Sequence, residues 1–128
     1  MKEPEWVLRE TVLNLHEQSL ADFGGSAGIR DESLLDSALA RPLNLLGYSK
    51  PTLFALGASY AFGLAKNHPF LDGNKRTAFV TAVLFLELNG YSFEASEADA
   101  AMQTLGLAAG EISEEKYAVW LKANARKA

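Results

Sequence analysis

Residues 78–88, Ala-Phe-Val-Thr-Ala-Val-Leu-Phe-Leu-Glu-Leu, form an almost unbroken apolar run directly after a segment crowded with polar groups, His68-Pro69-Phe70-Leu71-Asp72-Gly73-Asn74-Lys75-Arg76-Thr77. A bilayer needs about 20 apolar residues in one helix, so this run is too short to span one. It predicts a helix buried on nearly every side, stopped by Asn89-Gly90. A helix of that kind must be wrapped by others. Residues 53–67 offer a partner, because Gly57, Ala58, Ala61, Gly63 and Ala65 are small enough to let a neighbour approach closely. The remaining pattern is also helical. Residues 4–19 carry Val7, Val12 and Leu15 at helical intervals. Asp31 can cap a short helix that ends before Pro42, with residues 41–50 as loop, and Thr52 can cap the second apolar helix. Residues 96–107 and 113–125 complete the set, with Ser113 as a cap. The expected fold is all-α: a compact helical bundle around a buried central helix, residues 75–89, with a short flap or hairpin at residues 21–30. The chain of 128 residues is expected to be one domain, 1–128.

The polar segment breaks a local rule. Asn74 is a favoured N-cap residue, which places Lys75 and Arg76 in the first helical turn. A helix N-terminus already carries partial positive charge and favours acids by about 0.3–1 kcal/mol. Two cations there make sense where an anion binds, since exposed N–H groups and cations together form a phosphate cradle. Gly73 permits a left-handed turn or a close approach of backbone to phosphate. Asp72 is the segment's one carboxylate, and one carboxylate plus phosphate oxygens is a usual way to hold Mg²⁺. His68 is the side chain suited to take a proton near neutrality. Pro69 is expected to hold His68 in an extended backbone.

The segment resembles the signature of the Fic/Doc family, roughly His-x-Phe-x-Asp/Glu-Gly/Ala-Asn-x-Arg. Residues 23–35 and 37–42 resemble the N-terminal half of Doc (death on curing) toxins, and residues 85–91 the end of the family's central helix. The likeness covers roughly Leu15 to Leu107. It implies catalytic roles for His68 and Arg76, nucleotide binding by Gly73, Asn74, Lys75 and Arg76, a metal at Asp72, and ATP and Mg²⁺ as cofactors. It also implies a flap over the site, made from residues 24–28. Two positions depart from adenylyl-transferring relatives. Lys75 stands where they usually have Gly, and Phe79 where they have a second Arg. The Doc branch carries the Asn-Lys-Arg form. The resemblance therefore implies a toxin of a toxin–antitoxin pair that transfers the γ-phosphate of ATP to a Thr or Ser hydroxyl of a translation factor such as EF-Tu, arresting translation. A Fic-type adenylyltransferase and an inactive binding module of the same fold are the alternatives. No segment fits the family's inhibitory Ser/Thr-x-x-x-Glu-Gly/Asn pattern, so control is expected from an antitoxin whose tail folds on binding.

Other features narrow the field. The sequence has no Cys, which excludes disulfides and thiolate metal sites. A net charge of −4 argues against direct binding to nucleic acid, while permitting a local basic pocket. No basic-then-apolar leader pattern opens the chain and no segment suits a membrane, so the cytoplasm is the expected location. Residues 73–77 match a P-loop only in part, without its first Gly or a preceding strand. His16 is expected to be structural or at the surface, Trp6, Tyr60, Phe62 and Trp120 to be core aromatics, and Glu94, Glu97 and Asp99 to form a solvated face.

Overall fold

A computed structural model describes residues 3–128. Its elements in chain order are α1 (Arg9–Phe23), α2 (Glu32–Tyr48), α3 (Leu53–Asn67), α4 (Asn74–Leu88), β1 (Tyr91–Phe93), α5 (Glu97–Ala109), α6 (Glu114–Ala123) and β2 (Ala125–Lys127). The fold is all-α apart from β1 and β2. None of the described helices is long and apolar enough to cross a membrane.

Side-chain caps set four helix starts. Asp31, Thr52, Ser96 and Ser113 each accept a backbone N–H three residues on, which satisfies a donor that the helix itself cannot. α3 is the helix buried nearly all round, from Phe54 through Ala65, and it packs against α2, α4, α5 and α6. α4 differs from the expectation of burial on nearly every side. It buries one stripe, Asn74, Thr77, Ala78, Thr81, Ala82, Phe85 and Leu86, at the spacing of a single helical face. The all-round burial belongs to α3, whose small residues admit neighbours on several sides. Gly63 shows how close they come: a Cβ there would sit 3.1 Å from Ala38 Cα and 3.2 Å from Ala38 O.

Ala38 lies four residues before Pro42, and Pro42 falls inside α2, which runs unbroken to Tyr48. The expected stop before Pro42 and loop over residues 41–50 are therefore absent. Pro42 has no N–H to give Ala38 O, but burial of its ring and the packing of α2 on α3 outweigh that loss. α1 also begins later than expected. Residues 5–7 stay outside the helix, where other partners claim their backbone. Asn89 bonds both the N–H and the carbonyl of Glu5, and Tyr60 Oη accepts the N–H of Val7 at 3.1 Å. At the other end of the chain, β1 and β2 pair antiparallel, Ser92 opposite Arg126. The expected aromatics are in or against the core: Tyr60 is buried, and Trp6, Phe62 and Trp120 pack on it half-buried.

Candidate active site

The polar segment forms the turn between α3 and α4. His68 ends α3 in the left-handed region, φ 49° and ψ 54°, and is the one non-glycine residue with positive φ among those described. The extended backbone expected from Pro69 is not adopted. A left-handed cap ends the helix as effectively, and Arg30 secures it, donating from Nε to His68 O at 2.7 Å and from a terminal nitrogen to Asn67 O at 2.9 Å. A cation at a helix C-terminus also suits the dipole there. The His68 ring is exposed, with Nδ1 3.4 Å from Asn74 Nδ2.

Asn74 occupies the first turn of α4, not its cap. The N-cap is Gly73, left-handed at φ 77°, with no side-chain hydrogen bond to the helix. The Asn74 amide is buried and turned back on the loop. Its Oδ1 accepts the N–H of Phe70 at 2.9 Å and its Nδ2 donates to Phe70 O at 3.0 Å. It braces the turn and approaches His68. The first-turn N–H groups of α4 are thereby left without a cap, which is the condition for anion binding at a helix start.

Three other stretches of chain clamp the turn. Residues 28–31 run antiparallel beside it: Leu71 N–H donates to Gly28 O, Arg30 N–H and Asp31 N–H both reach Pro69 O, and Ile29 bridges Phe70. Ser26 N–H donates to Asp72 Oδ2 at 3.1 Å, so the glycine-containing segment after α1 does lie over the turn. α1 supplies His16, which is buried, with Nε2 2.7 Å from Asp72 O and its ring stacked on Phe70 at 3.8 Å between centroids. In sequence His16 has no metal-ligand neighbours to mark it. Its approach to Asp72 is a contact between residues 56 apart, which no local pattern reveals.

Lys75 and Arg76 line an open cavity of about 400 Å³ with Phe23, Phe79, Glu97 and Leu105. Lys75 is exposed. Arg76 lies over the Phe23 ring at 4.7 Å and pairs with Glu97 at 3.2 Å. Glu94 and Glu97 are exposed, as a solvated face requires, while Asp99 is half-buried and accepts Trp120 Nε1–H at 2.8 Å. Phe79 belongs to an aromatic cluster, 5.9 Å from Phe93 and 6.1 Å from Trp120. A larger cavity of about 690 Å³ lies between α2, α3 and α6, and no residue of the turn lines it.

No group of three or more His, Cys, Asp or Glu side chains that could cage a metal occurs among the described residues. The donor chemistry present is one exposed carboxylate, Asp72, at a turn that leads into an uncapped helix start. That fits a hard cation that takes its other ligands from water and phosphate, as Mg²⁺ does.

The model of the family described as Fic/DOC matches residues 6–86. The chain is 36% identical over 115 residues to the protein kinase doc of Escherichia phage P1, covering 88% of this chain and 90% of that protein. It is 43% identical over 93 residues to the toxin Doc of Mycolicibacterium smegmatis, covering 71% of this chain and 69% of the relative.

Proposed function

The chain belongs to the Fic/DOC family, and from that membership we propose that it is a Doc-like toxin and a protein kinase. In this reading it moves the γ-phosphate of ATP to a Ser or Thr hydroxyl of a translation factor of the EF-Tu kind, and a cognate antitoxin holds it in check with a tail that folds on binding. It works in the cytoplasm. The observation that carries the kinase reading over the adenylyltransferase is the place of Phe79. Packed among Phe93 and Trp120, it fills with an aromatic ring the position where adenylylating relatives keep a second phosphate-binding Arg. The name of the phage P1 relative, a protein kinase, supports the same choice.

Phosphoryl transfer asks little covalent chemistry of the protein and much positioning and charge stabilisation. His68 accepts the proton as the target oxygen bonds to the γ-phosphorus, and the bond from that phosphorus to the β–γ bridging oxygen breaks to release ADP. Its exposed ring suits a hydroxyl arriving from another protein. The long contact from Asn74 Nδ2 favours a neutral ring protonated at Nε2, so a base acting through Nε2 must first give that contact up. Asp72 holds Mg²⁺, which supplies charge neutralisation on the phosphates when bound. Gly73 lets the backbone approach, and the α4 amides with Lys75 and Arg76 meet the phosphate charge. Asn74 acts through the turn it braces as much as by contact with the nucleotide. Glu97 holds one terminal nitrogen of Arg76 and so competes with phosphate for its charge.

The test uses ATP labelled separately at the α and γ positions, with cell extract as the source of targets and His68→Ala alongside. Label reaching protein from the γ position alone, and lost in His68→Ala, is expected. Label arriving from the α position overturns the kinase reading in favour of adenylyl transfer, and no label from either supports a binding module.

A further inference from the structure

We propose that His16 is a positioning residue for the transfer reaction, holding the turn that carries Asp72 and Gly73 in its working shape. The inference rests on the reading of Asp72–Arg76 as the phosphate end of the site. His16 projects from α1 and is 4% exposed. Its Nε2 lies 2.7 Å from the backbone oxygen of Asp72, and a carbonyl can only accept, so Nε2 carries the hydrogen. The ring is nearly parallel to Phe70, with 9° between planes and 3.8 Å between centroids. It also lies against Gly73: a Cβ at that position would sit 3.5 Å from His16 Cδ2. One imidazole therefore touches Phe70 and Asp72 and fills the space a side chain at Gly73 would take. Leu20, one turn along α1, backs the same surface, its Cδ2 being 3.6 Å from a Cβ at Gly73 and 3.0 Å from one at Gly25.

What the hydrogen bond fixes is the peptide plane between Asp72 and Gly73. That plane sets where the Asp72 carboxylate begins and how Gly73, the left-handed N-cap, aims the uncapped amides of α4. If the carbonyl turns, both groups turn with it. Second-sphere contacts of this kind commonly govern affinity or activity by about 10–100-fold. A core role alone does not account for the contacts: the ring face packs on buried Phe70, but its polar edge is spent on the turn.

The test compares three substitutions in the full chain. His16→Gln places an amide N–H near the position of Nε2, His16→Asn carries the same amide but falls short of Asp72 O, and His16→Leu removes the donor. Calorimetric binding of ATP with Mg²⁺ and amide hydrogen exchange over residues 70–76 are measured beside thermal melting, and kcat and KM for γ-phosphate transfer follow. The expected order is Gln close to wild type, with Asn and Leu about 10–100-fold weaker in Mg²⁺·ATP binding or kcat and faster in exchange at the turn. Wild-type values in Asn and Leu overturn the proposal. So does an equal loss in all three, or a fall in melting temperature with binding and kcat per folded molecule unchanged. His68→Ala tests the underlying reading instead: transfer that survives in it removes His68 as the base, whereas the His16 comparison reads binding and exchange, which need no turnover.

Discussion

Replacing Arg76 by Ala separates a residue kept for an anion from one kept for the fold. Two close contacts are lost, with a third to the Phe79 ring at 6.0 Å, the outer limit for a cation over an aromatic face and worth little beside them. The pair with Glu97 is exposed, with side-chain exposures of 34% and 77%, so it is worth about 0.3 kcal/mol at the low end of surface ion pairs. The stack over Phe23, a ring itself 61% exposed, is worth about 0.5 kcal/mol. One repulsion is relieved, because a cation in the first turn of α4 opposes the helix dipole by about 0.5 kcal/mol. The balance is a destabilisation of about 0.3 kcal/mol, which for a domain of this size moves Tm by about 1–2 °C. The sequence alone suggests unchanged or slightly improved stability; the two contacts shift the balance the other way by a small amount. Against that near-cancellation, loss of one donor to developing charge costs about 10²–10³-fold in kcat. The assay is differential scanning calorimetry without nucleotide, at low salt, beside single-turnover transfer from γ-labelled ATP. A fall in Tm beyond about 6 °C, more than about 1.5 kcal/mol, would show Arg76 to be structural. Transfer within about tenfold of wild type would remove it from the phosphate site.

Glu97→Gln frees Arg76 and should lower KM for ATP by about 1.4–5-fold, the equivalent of a 0.2–1 kcal/mol surface pair; a rise in KM, or a benefit that fails to shrink with added salt, contradicts competition between Glu97 and phosphate. Gly63→Ala and Gly57→Ala should move stability in opposite directions by urea unfolding. At Gly63 the new methyl meets Ala38 backbone at 3.1 Å, an overpacking cost of about 1–3 kcal/mol that exceeds the roughly 1 kcal/mol gained in helix propensity, whereas at Gly57 the nearest atom is a Leu121 methyl at 3.3 Å that can swing aside. Burial pushes the Tyr60 phenol up to about 12, so the folded state holds that proton more tightly than the unfolded chain. This stabilisation is present below pH 10 and fades as pH rises from 10 to 12, so wild-type Tm should fall more steeply over that window than in Tyr60→Phe; equal slopes refute the assignment.

The parts of this fold that could be read in sequence are those decided within a few residues. Asp31, Thr52, Ser96 and Ser113 cap helices where their chemistry places them, because a cap is a contact three residues long. The turn from His68 to Arg76 is likewise where the pattern puts it, and the glycine-containing segment does lie against it. The errors came where distant partners decide. Pro42 lies inside α2 because burial of its ring and the packing of α2 on α3 outweigh one lost hydrogen bond. Asn74 is the exception: it surrenders the cap to Gly73 because Phe70, only four residues back, claims its amide, and two local uses of one amide compete. His68 turns left-handed under Arg30, from 38 residues away. The strands β1 and β2 join residues far apart in the chain and are too short to carry an alternating pattern. The same reason hid the Glu97 partner of Arg76 and the place of His16.

The clamping of the turn bears on anyone who would graft this chemistry elsewhere. A designer who copies residues 68–76 onto another pair of helices carries over the reactive groups and leaves behind what shapes them. Asp72 would lose Ser26 and His16, and His68 would lose the guanidinium that closes α3. The smallest transferable piece is discontinuous: the stretch of α1 bearing His16 and Leu20, the strip from Gly25 to Asp31, and the α3–α4 corner, all in register. A scaffold search should therefore match three backbone fragments at once, and hosts offering only a helix–turn–helix should yield designs that fold and do not react.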